Sequence, residues 1–130
     1  SAELADFLWA AAGEYSFNPD NVYAVGFSNG ANAATSLLLL QPDSVAGVVA
    51  MGNNKVFDDT PFKKGKPDLT GKYVWIANGA ADAYSPQVRV DALIEEFKSL
   101  GAKVAFMLHP GGHTIAMEHV RQIASELAQI

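Results

Sequence analysis

The five residues Gly26-Phe27-Ser28-Asn29-Gly30 constrain this chain more than any other stretch. They follow an apolar extended run, residues 22–25, and precede a largely apolar helical run, residues 31–40. A strand, a sharp turn and a helix in that order leave little room at the bend. A serine held there has its hydroxyl pushed clear of the sheet top, and flanking glycines let the strand and helix backbones pass close together. The bare pattern G-x-S-x-G also occurs in ordinary turns. Here the strand before it, the helix after it, and an acid and a histidine further on favour Ser28 as a nucleophile, with both Gly26 and Gly30 required on steric grounds.

The rest of the chain supports a layered α/β reading. Leu4, Phe7, Leu8 and Ala11 fall at helical spacing, which predicts a helix over residues 2–14. Ser16, Asn18, Pro19 and Asp20 then make a turn, residues 22–26 a short buried strand, and residues 28–41 the helix leaving the bend, stopped by Gln41-Pro42-Asp43. Residues 45–51 are apolar without alternation, as expected of a strand buried on both faces of a parallel sheet. Between Gly52 and Gly71 the pattern dissolves into a long connection, which reads equally as a binding loop or a plain surface excursion.

Residues 73–78 form the third predicted strand. Ser85-Pro86 reads as a helix start, with serine as N-cap and proline in the first turn. Val90, Leu93, Ile94, Phe97 and Leu100 mark that helix's buried face, and Gly101 closes it. Lys103–His109 is the fourth strand, and Pro110-Gly111-Gly112-His113-Thr114 leads into a last helix buried at Val120, Ile123, Leu127 and Ile130. The alternation predicts one α/β domain over residues 1–130, a parallel sheet of about four strands with helices on both faces.

In an open α/β sheet, reactive groups collect beyond the carboxyl ends of the strands. Three such ends carry Ser28, Asp82 and His113, in the order serine, acid, histidine. A serine hydroxyl needs a base within reach, and the base needs an acceptor that fixes its tautomer. His109 and His119 are rivals for the base, but the glycines before His113 favour it by letting its ring bend back over the sheet. Asp58 and Asp59 are rivals for the acid; Asp82 is favoured because it leaves the third strand just ahead of a helix start. Asn29 offers its backbone N–H to a developing oxyanion. Gly112 and Tyr84 are candidates for the pocket rim.

Composition removes several other classes of function. With 49% of residues hydrophobic and 18% charged, the chain is globular and not a low-complexity segment. A net charge of -5 leaves no basic stripe for nucleic acid, and Lys63, Lys64 and Lys66 read as a solvated loop. No cysteine is present, so disulfide and thiolate chemistry are excluded. No apolar run approaches a membrane span. Ser1 opens into an amphipathic pattern without a basic leader, which favours the cytoplasm while leaving the compartment open. A metal site from His109, His113 and His119 is not expected, since Pro110-Gly111-Gly112 cannot present the first two from one helix. No cofactor is expected.

The stretches GFSNGAN (Gly26 to Asn32), NGAADAYSP (Asn78 to Pro86) and PGGH (Pro110 to His113) together resemble the α/β-hydrolases, within them the group of carboxylesterases, phospholipases and dienelactone-hydrolase-like enzymes. The resemblance implies a serine esterase acting on a small-molecule ester, with Ser28, Asp82 and His113 as its triad. It also implies that this chain is the C-terminal half of the fold. Further strands, and a loop bearing another oxyanion donor, would come from a missing N-terminal half, or another copy would cover the strand at Val22-Val25. Such a half alone is expected to turn over slowly, since one lost oxyanion donor costs on the order of a hundredfold. The alternatives are a non-catalytic assembly module needing a second chain, and an acyltransferase.

Overall fold

In a computed structural model, the described residues are 22–57 and 67–130. The helix predicted over residues 2–14, the turn after it, Asp58 and Asp59, and the lysines at 63, 64 and 66 lie outside them.

Four strands form one sheet: β1 (Tyr23–Phe27), β2 (Gly47–Met51), β3 (Tyr73–Gly79) and β4 (Lys103–His109). They lie side by side in chain order, all parallel. Three helices accompany them: α1 (Asn29–Leu40), α2 (Gln87–Ser99) and α3 (Met117–Leu127). A short 3-10 turn, Pro42–Ser44, follows α1 at the predicted stop.

Successive strand residues point to opposite faces, so the sheet splits its apolar residues between two cores. Val48, Val74 and Ile76 face α1 and α2, meeting Leu37, Leu38, Val90 and Phe97. Val49, Met51, Trp75 and Ala77 face the other way and meet Ile123 of α3. All five residues of β2 are buried, as a strand covered on both faces requires. β1 is an edge strand among the described residues, with Val25 62% exposed. On the α3 face Tyr23 packs edge-on against Trp75; burial, and then the neighbouring Tyr73, raise its hydroxyl above the usual tyrosine range.

Two local expectations are corrected. α2 starts one residue later than the serine-cap reading requires: Pro86 is its N-cap, the N–H groups of Arg89 and Val90 bond to the Pro86 carbonyl, and the buried Ser85 hydroxyl caps nothing. Proline's fixed φ makes Pro86 a ready boundary, which leaves the serine one position too early. Ile130 lies past the end of α3 and is exposed, because the helix stops at Leu127 before bringing it round to the core face. His119, the other rival for the base, is buried on α3 with its ring beside that of His109. At the described ends of the long connection, Asn53 and Leu69 are fully buried.

Candidate active site

β1 ends at Phe27, and the next residue takes a conformation that almost none of the others share. Ser28 has φ 60 and ψ -119, the only positive φ of a non-glycine among the described residues. That pair mirrors the (−60°, +120°) of an ordinary type II turn position, so it normally belongs to glycine. A non-glycine there costs about 1–3 kcal/mol. The surroundings hold it in place: the Ser28 N–H donates to Met51 O at the end of β2, and Asn32 N–H closes the first turn of α1 on Ser28 O.

The flanking glycines are unequal. A Cβ on Gly26 would sit 2.2 Å from the carbonyl carbon and oxygen of Gly30 and 2.6 Å from Ala31 N. Gly30 has nothing within 4 Å of its own missing Cβ, and its φ is not positive. The steric requirement therefore falls on Gly26 alone; the strand must clear the helix, whereas Gly30 faces solvent.

The carboxyl ends of β1, β3 and β4 converge beyond the sheet. His113 Nε2 lies 2.9 Å from Ser28 Oγ, and His113 Nδ1 lies 2.6 Å from Asp82 Oδ2. With Nδ1–H donating to the carboxylate, Nε2 is left as the acceptor for the serine hydroxyl. The Asp82 side chain is 1% exposed and that of His113 is 21% exposed. The other Asp82 oxygen accepts from Tyr84 N–H at 2.9 Å, an Asx turn that fixes the carboxylate plane.

Aromatic rings hold the imidazole in position. Phe27 lies 4.8 Å from it and Tyr84 5.0 Å, centroid to centroid. Gly52, at φ +68, leaves the space the ring needs: a Cβ there would approach His113 Cε1 to 3.0 Å. Neither Gly111 nor Gly112 has positive φ. Gly111 instead lets the loop press onto His109, whose Nδ1 accepts its N–H at 3.0 Å. His109 Nε2 stands 3.3 Å from Thr114 O, so this rival for the base braces the loop that carries His113.

The other expected residues are placed as follows. Asn29 opens α1 and is exposed, where the first-turn N–H groups have no carbonyl one turn back. Tyr84 is 67% exposed at the rim beside His113. The Gly112 carbonyl lies against Gly79, where a Cβ would come within 2.2 Å of it. No group of three or more His, Cys, Asp or Glu among the described residues could hold a metal ion, and no helix among them is long and apolar enough to cross a membrane.

Sequence reading did not single out a network of buried amides beneath the bend. Asn32 Oδ1 accepts from Asn53 Nδ2 at 2.7 Å and from the N–H groups of Asn54 and Lys55. Asn78 exchanges two bonds with the Asn53 backbone. The available signal was an asparagine set within each of two apolar elements, at positions 32 and 78, where an unpaired amide would be costly.

No protein-family model matches the chain. It is 33% identical to a carboxylesterase from Mesorhizobium loti and 29% identical to the Bacillus cereus carboxylesterase, with TM-scores of 0.85 and 0.83. Each comparison covers 98% of this chain and 58% of the other. The fold is that of the α/β-hydrolases. In a curated relative, MhqD of Bacillus subtilis (strain 168), provisionally named a hydrolase, 31% of 120 residues are identical, over 92% of this chain. The chain spans 58% of that relative's length.

Proposed function

We propose that this chain carries the catalytic triad of a serine hydrolase that cleaves carboxylic esters through an acyl-enzyme. The observation that carries the reading is the continuous relay from Ser28 Oγ to His113 Nε2 and from His113 Nδ1 to Asp82 Oδ2, at 2.9 and 2.6 Å. The similarity to carboxylesterases from two bacteria supports the ester as substrate class.

In this mechanism the Ser28 oxygen attacks the ester carbonyl carbon as its proton passes to His113 Nε2. Asp82 stabilises the resulting imidazolium and holds its tautomer. The carbonyl oxygen becomes an oxyanion, for which Asn29 N–H at the start of α1 is the proposed donor, favoured by the helix dipole. Collapse expels the alkoxide, which takes the proton from His113 Nε2 and leaves as the alcohol. Water then repeats the sequence on the acyl-serine, releasing the acid and restoring Ser28. Tyr84 and Gly112 are proposed to border the substrate.

A fluorophosphonate probe tests the nucleophile directly. The expected result is one label per chain, on Ser28, absent in Ser28→Ala and at least about a hundredfold slower in His113→Ala. Equal labelling of the wild type and Ser28→Ala would refute the assignment.

The edge of β1 bears on the partners. Apolar surface lines both of its flanks: Val22, Ala24, Ala33 and Leu37 border a hollow of about 270 Å³ on one side, and Val25, Val49, Met51 and Ile123 one of about 160 Å³ on the other. An uncovered edge of this kind is prone to pair with other strands. We therefore propose that further polypeptide, from a longer form of this protein or from another copy, adds to β1 in the working enzyme. Hydrogen exchange of peptides from β1 should then show protection comparable to β2; exchange of β1 at the rate of an open strand would overturn the proposal.

A further inference from the structure

The loops bearing the serine, the acid and the base come from three different strands, so something must set the distance between them. The histidine and acid loops are joined through the backbone, where Ala80 N–H donates to His109 O and Ala81 N–H to Gly111 O. α1 has no such backbone tie to the acid loop among the described hydrogen bonds. A side chain from a fourth loop spans that gap.

Asn54 lies just beyond β2. Its Oδ1 accepts from Asn32 Nδ2 on α1 at 2.9 Å, and its own Nδ2 donates to Tyr84 O in the acid loop at 2.9 Å. Tyr84 N–H in turn holds Asp82 Oδ1, while Asp82 Oδ2 meets His113 and His113 meets Ser28. Asn32 N–H returns to Ser28 O at 3.1 Å. The hydrogen bonds thus form a closed circuit: Ser28, His113, Asp82, Tyr84, Asn54, Asn32 and back to Ser28.

We infer that Asn54 is a positioning residue for the triad, acting through Tyr84 to hold the Asp82 carboxylate and the Tyr84 ring against His113. The inference rests on the serine-hydrolase reading for its effect on turnover, though not for its effect on geometry. Asn54 is half-buried and belongs to neither core, so its removal leaves the packing of the sheet alone. What is lost is the tie between the acid loop and α1, namely the donor to Tyr84 O and the acceptor for Asn32 Nδ2. The carboxylate then samples orientations in which its bond to Nδ1–H is long, and a misplacement of about 1 Å at a reacting group costs on the order of a hundredfold.

The test uses the full chain with Asn54→Ala and Asn54→Asp. The aspartate keeps an acceptor for Asn32 and loses the donor to Tyr84. Hydrolysis of p-nitrophenyl acetate should show kcat reduced about ten- to a hundredfold in both variants, with KM within about twofold of wild type. The proton NMR signal of His113 Nδ1–H, shifted downfield by its carboxylate partner, should move upfield or broaden in both. Wild-type kcat in either variant, or reduced kcat with an unmoved His113 signal, would overturn the inference. If Ser28→Ala hydrolyses the ester as fast as wild type, the hydrolase reading fails, and the His113 signal alone then decides the role of Asn54.

Discussion

Ser28→Gly is expected to reduce ester hydrolysis by at least about ten-thousandfold and yet to be more stable than Ser28→Ala. The loss of activity follows from removing the oxygen that His113 Nε2 faces at 2.9 Å. The order of stabilities follows from the backbone. At an ordinary position glycine is the less stable of the two by about 0.5–1 kcal/mol, because it loses more freedom on folding. At φ 60 and ψ -119 the penalty falls on the residue with a Cβ, by about 1–3 kcal/mol. Neither variant keeps the serine hydroxyl, so the comparison isolates the conformation. Urea unfolding followed by circular dichroism measures the difference, and a Ser28→Ala midpoint above that of Ser28→Gly would show that the turn stores no strain.

Gly26→Ala is expected to cost about 3 kcal/mol or more, a large share of the 5–15 kcal/mol typical of a domain. The added methyl would lie 2.2 Å from backbone atoms of Gly30, and the atoms it meets are not the movable ends of side chains. Either β1 leaves its register with β2 or the start of α1 moves outward. The second response displaces Ser28 and the proposed oxyanion donor at Asn29, so activity should fall with stability. Gly30→Ala is the control. Its methyl meets nothing within 4 Å, and in the first turn of a helix alanine is favoured over glycine by up to about 1 kcal/mol. Its unfolding midpoint should equal or exceed that of wild type. Equal midpoints for the two substitutions would mean that strand and helix do not approach as closely as described.

The unequal glycines illustrate where sequence reading stops. A motif pairs Gly26 with Gly30 symmetrically, but only one of them faces a backbone, and which one depends on how α1 leaves the strand. The same holds at Gly111 and Gly112: neither has positive φ, and Gly111 packs closely on His109, a contact between residues whose ring orientation no local pattern encodes. Ser85 was displaced as a cap by its own neighbour, Pro86, a competition between two valid local signals that the loop geometry resolves.

Among the described residues, the order of elements and the parallel sheet could be read from the chain alone, and so could the three side chains that meet at hydrogen-bond distance, Ser28, His113 and Asp82. Those features rest on short-range rules: apolar periodicity sets helix against strand, alternation of the two forces parallel crossovers, and parallel strands bring their carboxyl ends to one rim. The amide circuit through Asn32, Asn54 and Tyr84 could not be read, nor could the bracing of His113 by Phe27, Tyr84 and His109. Each of these joins residues far apart in sequence at distances of a few ångströms. A hydrogen bond forms or fails over a fraction of that distance, and only the packed arrangement of four loops determines which amides meet.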